Sequence, residues 1–138
     1  MHIELNRADK DFHFEAVGNS PVKVNIDGAE QIGGHNSGAR PMELLLMGLG
    51  GCSAIDIVSI LRKQKIEIDK FKISIDAERE KDATPSIFTD INIHFRLTGD
   101  LDKEKVERAV SLSMEKYCSA AAVIGKTAKI NYSVSVNE

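Results

Sequence analysis

An α+β fold is what this sequence predicts, for three reasons. Between Arg40 and Lys65 runs a stretch, RPMELLLMGLGGCSAIDIVSILRKQK, that carries only one formal charge, Asp56, from Leu44 to Leu61. After it, FKISIDAER and INIHFRL alternate apolar and polar residues with near-ideal period two. That alternation belongs to an antiparallel sheet with one packed and one wet face. Beyond Asp102 apolar residues recur at helical spacing. Strands, buried helix, hairpin, amphipathic helix and strand then follow in that order, an α+β arrangement. At 138 residues this is one domain's worth of chain, and residues 1–138 are expected to form a single domain.

The first elements are short. Residues 12–17 (FHFEAV) and 22–26 (VKVNI) alternate as half-buried strands do, and Asp27-Gly28 follows as a turn signal. Gly33 to Gly38 (GGHNSG) has the composition of a flexible connector. It lacks the Lys-Ser/Thr of a phosphate-binding loop and does not match the dinucleotide fingerprint, so His35 within it reads as a solvated residue.

The apolar stretch reads as a helix over about 41–64. Pro41 suits the first helical position and Glu43 places negative charge in the first turn, while Arg62, Lys63 and Lys65 put positive charge at the other end. A helix that is apolar all round must be buried on several sides or sit in lipid. Spanning a bilayer takes about 20 predominantly apolar residues. This run is barely long enough and holds Ser53, Asp56, Ser59 and three glycines, so no membrane is expected. The N-terminal MHIELNRADKD is polar and lacks the apolar segment of a signal peptide, which points to the cytoplasm. Gly48, Gly50, Gly51, Cys52, Ser53 and Ala54 form a run of small residues in mid-helix. Each glycine there costs about 1 kcal/mol relative to alanine, so something is expected to approach the backbone closely.

In the hairpin, His94 falls on the polar face with Asn92 and Arg96 and reads as solvated, and Asp82 to Ser86 forms the intervening loop. Gly99-Asp100 ends the hairpin, and Asp102 can cap the second helix. Val106, Ala109, Val110, Leu112, Ser113 and Tyr117 supply its apolar face, and it is expected to run on through Cys118 to Ile124, where Gly125 stops it. INYSVSV is the last strand.

Net charge is −3, with no basic stripe and few aromatics, which excludes the usual nucleic-acid footprint. Two cysteines, at 52 and 118, do not make the paired short spacings of a zinc site, and the four histidines form no HxxxH pair, so no metal is expected. If both helices pack on one sheet, Cys52 and Cys118 can be neighbours. Three readings stay open at this level: inert core thiols, a reactive pair, and a structural disulfide, the last disfavoured in a reducing compartment.

The segment MELLLMGLGGCSAIDIVSIL with a distant second cysteine in EKYCSAAAVIGKTAKI resembles the OsmC/Ohr superfamily, the osmotically inducible and organic hydroperoxide resistance proteins. The likeness is nearest to its YhfA-like branch, which shares the PME…GGCSAID segment and the FTxINxHF strand, and it covers the chain from about residue 10 onward. The resemblance implies antiparallel sheets around two central helices in an intertwined homodimer. It implies a thiol peroxidase acting on organic hydroperoxides in oxidative or osmotic stress, with Cys52 as the peroxidatic and Cys118 as the resolving cysteine. Glu43 matches the family's carboxylate. No cofactor is implied beyond an external thiol or dithiol reductant.

A buried thiolate needs a nearby cation, which the family supplies as an arginine on an early loop held by the glutamate. No arginine lies between Arg7 and Arg40 in this chain, and Ser119 stands where better-known members often have proline. Arg7, Lys23 and Arg40 are the N-terminal candidates. Arg40 lies roughly 18 Å of rise from Cys52 at about 1.5 Å per residue, too far for a rigid contact within one helix. It is preferred as a partner-chain contact because Glu43, one turn along the same helix, could orient it, with Lys23 second. Two other functions stand beside the enzyme: a non-catalytic dimer binding a small apolar or thiol ligand near Met42, Leu46, Met47 and Ile55, and a structural stress protein with inert cysteines.

Overall fold

The computed structural model describes all of Met1–Glu138. The chain forms two compact units, Met1–Met47 and Gly48–Glu138. In the first, β1 (Glu4–Arg7), β2 (Phe14–Val17) and β3 (Val24–Ile26) form an antiparallel sheet in that order. β1 was not foreseen. ELNR is too short to carry a period and is exposed throughout; its pairing of Leu5 with Ala16 and Arg7 with Phe14 comes from the neighbouring strand.

The GGHNSG segment is not the loose connector its composition suggests. The Asp27 carboxylate is buried and accepts the backbone N–H groups of Gly28 (2.7 Å), His35 (2.9 Å) and Ser37 (3.0 Å). Close approach fixes two of the glycines, since a Cβ on Gly34 would fall 1.9 Å from Gly28 O and one on Gly38 2.3 Å from Asn25 O. His35 is tied as well, with Nε2 2.6 Å from Asp11 Oδ2.

Two opposite pH dependences follow. The N–H groups of Ser37, then His35 and Gly28, hold the Asp27 carboxyl below 3.8, so its contribution is present above that value and is lost as pH falls through the lower folded one. The hydrogen bond to Asp11 raises His35 above 6.5, so that contact is complete below 6.5 and is lost as pH rises through the folded value. Amide exchange at His35 and Ser37 is therefore expected to accelerate in strong acid and in Asp27→Asn at any pH. Unchanged exchange in that variant would show that the carboxylate does not organise the loop.

Helix α1 (Pro41–Lys63) crosses from the first unit into the second, one residue short of its expected end. Glu43 Oε1 accepts the backbone N–H of Arg40 at 2.8 Å, half of a capping box at the helix start. Lys65, at φ 59°, turns the chain away.

The second unit holds β4 (Lys70–Arg79), β5 (Phe88–Thr98) and β6 (Lys129–Val136) in that order. β4 and β5 are antiparallel, but β6 runs parallel to β5, which corrects the expected all-antiparallel arrangement. The helices between β5 and β6 carry the chain back to the start of the sheet before β6 begins, as a parallel pairing requires. His94 is likewise not merely solvated: Nδ1 lies 2.7 Å from Ser133 Oγ and Nε2 2.9 Å from Ser135 Oγ on β6.

Helix α2 (Lys103–Leu112) starts as expected, with Asp102 accepting from Glu104 N at 3.0 Å, a cap contributing about 1 kcal/mol. Ile57 and Leu61 of α1 meet Ile93, Phe95 and Leu97 of β5 and Val106, Ala109 and Val110 of α2 in one buried cluster. At about 25 cal/mol per Å² of apolar surface removed from water, this is the main stabilising element of the unit.

Two expectations about the helices change. The helix after Asp102 is not continuous: α2 passes into a π-helical turn (Ser113–Tyr117), the chain becomes extended at Cys118 (φ −70°, ψ 104°), and α3 (Ser119–Ile124) begins there. Gly125 ends α3 in a right-handed conformation; a Cβ there would lie 2.7 Å from Ala121 O. Nor does one chain enclose α1. Leu49, Gly50, Ser53, Ile57 and Leu61 are buried, whereas Leu45, Met47 and Ile55 are 50%, 56% and 72% exposed. Ile75 packs 3.2 Å from a Cβ placed on Gly50, but nothing lies within 4 Å of one on Gly48 or Gly51. Within a single chain, only Gly50 has the neighbour that the small residues call for.

Candidate active site

Cys52 and Asp56 stand one helical turn apart on α1 and so share a face. The break between the π-helical turn and α3 brings Cys118 to that face. Its backbone N–H donates to Ser113 O at 2.7 Å, which closes the wider turn. The two sulfurs and an Asp56 carboxylate oxygen lie within 4.8 Å of one another. Both thiols are free; Cys52 is half-buried and Cys118 buried.

Asp56 is held in place. Ser113 Oγ donates to Asp56 Oδ2 at 3.0 Å, and Ser113 itself is fully buried. On the α1 side, Ser53 Oγ donates back to Leu49 O (2.9 Å) and Gly50 O (3.0 Å), so its hydroxyl is satisfied inside the helix. Neither Asp56 nor Ser113 was among the expected site residues. The available signal was a lone carboxylate four residues after the cysteine in an otherwise uncharged run, and a serine on an apolar helix face.

Burial pushes the Cys118 thiol up from 9.0 to about 11; neighbouring Cys52 and Asp56 push the same way, against a hydrogen bond from Ala121 N–H at 3.4 Å. Cys118 therefore sits as a neutral thiol near neutral pH.

The other expected residues are engaged elsewhere. Arg40 donates from its guanidinium to Gly38 O (3.1 Å) and Asn36 Oδ1 (3.3 Å), while the Glu43 carboxylate holds the Arg40 backbone rather than its guanidinium. Lys23 pairs with Glu15 at 3.0 Å, and Arg7 donates to the carbonyls of Lys10 and Asp11. Two clusters contain three potential metal donors each. In Cys52, Asp56 and Cys118, metal binding would require both thiols to lose their protons, which the raised Cys118 opposes. In Asp9, Asp11 and His35, the side chains already serve the backbone of Asp11 and His13 and one another.

Helices packed on a three-stranded sheet, with a cysteine on the glycine-rich helix α1 meeting a second one at the start of α3, define a class. The family described as OsmC-like protein matches residues 34–133, and the chain belongs to it. Within the family it falls in the YhfA-like branch: Protein YhfA of Escherichia coli (strain K12) is 48% identical over 105 residues, covering 73% of this chain and 78% of YhfA. Among solved structures, a hypothetical protein from Aquifex aeolicus VF5 superposes with TM-score 0.80 at 30% identity, covering 99% of this chain and 97% of that one. The organic hydroperoxide resistance protein OhrB of Bacillus subtilis shares the fold, with TM-score 0.68 at 19% identity over 97% of this chain and 96% of its own.

Proposed function

We propose that this protein is a cysteine-based peroxidase that reduces organic hydroperoxides in oxidative or osmotic stress, working as a cytoplasmic homodimer. The observation that carries the reading is the meeting of two free thiols from distant parts of the chain within 4.8 Å. The OsmC-like family and the OhrB fold support the substrate class.

The Cys52 sulfur attacks the outer oxygen of ROOH. The O–O bond breaks, the alkoxide takes a proton and leaves as alcohol, and Cys52 becomes a sulfenic acid, oxidised by two electrons. The Cys118 sulfur then attacks the Cys52 sulfur, the S–O bond breaks, and water leaves as the disulfide forms. An external dithiol restores both thiols by two exchanges. No cofactor is required. Arg40 is the cation we assign to the partner chain's Cys52, its guanidinium held by Gly38 and Asn36, with Glu43 fixing the backbone that carries it.

Thiol loss on stoichiometric oxidant tests the reading. Cumene hydroperoxide should consume two thiols per molecule and react at least about tenfold faster than hydrogen peroxide, because each buried methylene-sized group is worth about 0.8 kcal/mol. Equal, slow rates with both oxidants would favour a binding or structural role.

A further inference from the structure

We infer that Asp56 is the general base of the resolving step: its carboxylate takes the S–H proton of Cys118 as that sulfur attacks Cys52, and passes it to the leaving group. The inference rests on the dithiol reading of the site and adds to it a residue on which the second step depends.

Three observations converge on this role. Cys118 is 4% exposed and carries its proton, so it is a poor nucleophile unless a base removes that proton during attack. An Asp56 carboxylate oxygen lies within 4.8 Å of both sulfurs, and Ser113 fixes that carboxylate with a hydrogen bond from the same turn that positions Cys118. Asp56 also lines a groove of about 470 Å³ with Ser59, Lys63 and Tyr117, which gives the proton a route to water. A carboxylate beside a thiol that must ionise is otherwise a handicap, since negative charge opposes thiolate formation. As a proton acceptor in the transition state it helps.

The step balances. With a sulfenic acid on Cys52, the S–S bond forms, the S–O bond breaks, and the proton carried by Asp56 leaves in water with the departing hydroxyl. With an aryl mixed disulfide on Cys52, an aryl thiolate leaves and the proton passes through Asp56 to solvent.

The second case supplies a test that needs no hydroperoxide. In the reduced protein, 5,5′-dithiobis(2-nitrobenzoate) should react first at half-exposed Cys52, releasing one thionitrobenzoate, and Cys118 should then release the second. Asp56→Asn should slow the second release by roughly 10²-fold, the lower range for a positioned general base. Asp56→Glu should restore part of the rate, and Ser113→Ala should give an intermediate loss through misorientation of the carboxylate. The groups facing Cys118 from α1 are Cys52 and Asp56, with Lys63 along the groove that Asp56 lines; Glu115, on the π-helical turn, accepts from Ser111 and Tyr132. The rate in Asp56→Asn should therefore climb steeply with pH toward the range where Cys118 ionises, while the wild-type rate changes less.

A purely electrostatic role makes the opposite prediction, because removing the negative charge should speed the second release. An unchanged or faster rate in Asp56→Asn would overturn the inference. Should that variant fail to fold, an unchanged rate in both Asp56→Glu and Ser113→Ala would do the same. A wild type that resolves the aryl disulfide quickly but ignores cumene hydroperoxide would sink the peroxidase reading and leave the role of Asp56 standing.

Discussion

Cys52→Ser is expected to leave the protein inert to organic hydroperoxide, a fall of about three orders of magnitude or more, as removal of a nucleophile produces. Cys118→Ser should behave differently. Its Cys52 should still attack the peroxide, so one turnover should proceed and a sulfenic acid accumulate that a cyclic diketone such as dimedone can trap. The asymmetry follows from burial: Cys52 is half-buried and reachable, whereas Cys118 is closed off and neutral. If both single variants lose thiol at the same slow rate as free cysteine, the pair is structural and the enzymatic reading fails.

The second large effect concerns the open face of α1. In an isolated chain, Gly51→Ala would fill empty space and stabilise the helix by about 1 kcal/mol. In a dimer whose partner lies against Gly48 and Gly51, larger residues there would overpack the contact at about 1–3 kcal/mol per site. The double variant Gly48→Leu/Gly51→Leu, and separately Ile55→Asp, should therefore shift the species seen by light scattering from about twice 15.1 kDa toward 15.1 kDa at micromolar concentration. The wild type must itself be dimeric for this to hold. A monodisperse wild-type monomer would contradict the dimer and leave the two glycines and the 72% exposure of Ile55 without a purpose.

Much of the fold was legible because the relevant signals are local and periodic. Ile91, Ile93, Phe95 and Leu97 alternate without interruption and are all buried. Pro41 and Glu43 mark the start of α1, and Asp102 marks that of α2. What escaped depends on placement. β1 exists only because β2 pairs with it, and the direction of β6 depends on the path between strands. The π-helical turn is a one-residue change of phase that periodicity cannot locate: it leaves Tyr117, expected on the apolar face, 50% exposed.

The site divides in the same way. The two cysteines could be nominated from their setting, yet their meeting depends on the break at Cys118. Asp56 was visible as the lone charge in an apolar run, and Ser113 as a serine among apolar neighbours. Only the fold joins them in a hydrogen bond across 57 positions. Arg40 and Glu43 were paired as guanidinium and carboxylate on proximity, whereas the helix start claims the carboxylate for its own unsatisfied N–H.

Cys118 stands at a junction between helical pieces, with its sulfur already within 4.8 Å of that of Cys52. A bond between the two would clasp the middle of α1 to the C-terminal arm and enclose the β4–β5 hairpin and α2 in a covalent ring. A ring of that size removes chain entropy from the unfolded state equivalent to about 4 kcal/mol. An oxidising burst would thus leave the molecule tougher against heat and proteolysis than it was before. The same margin would act as resistance to the incoming reductant, so recovery of the thiols, rather than their oxidation, would set how long the memory of the stress persists.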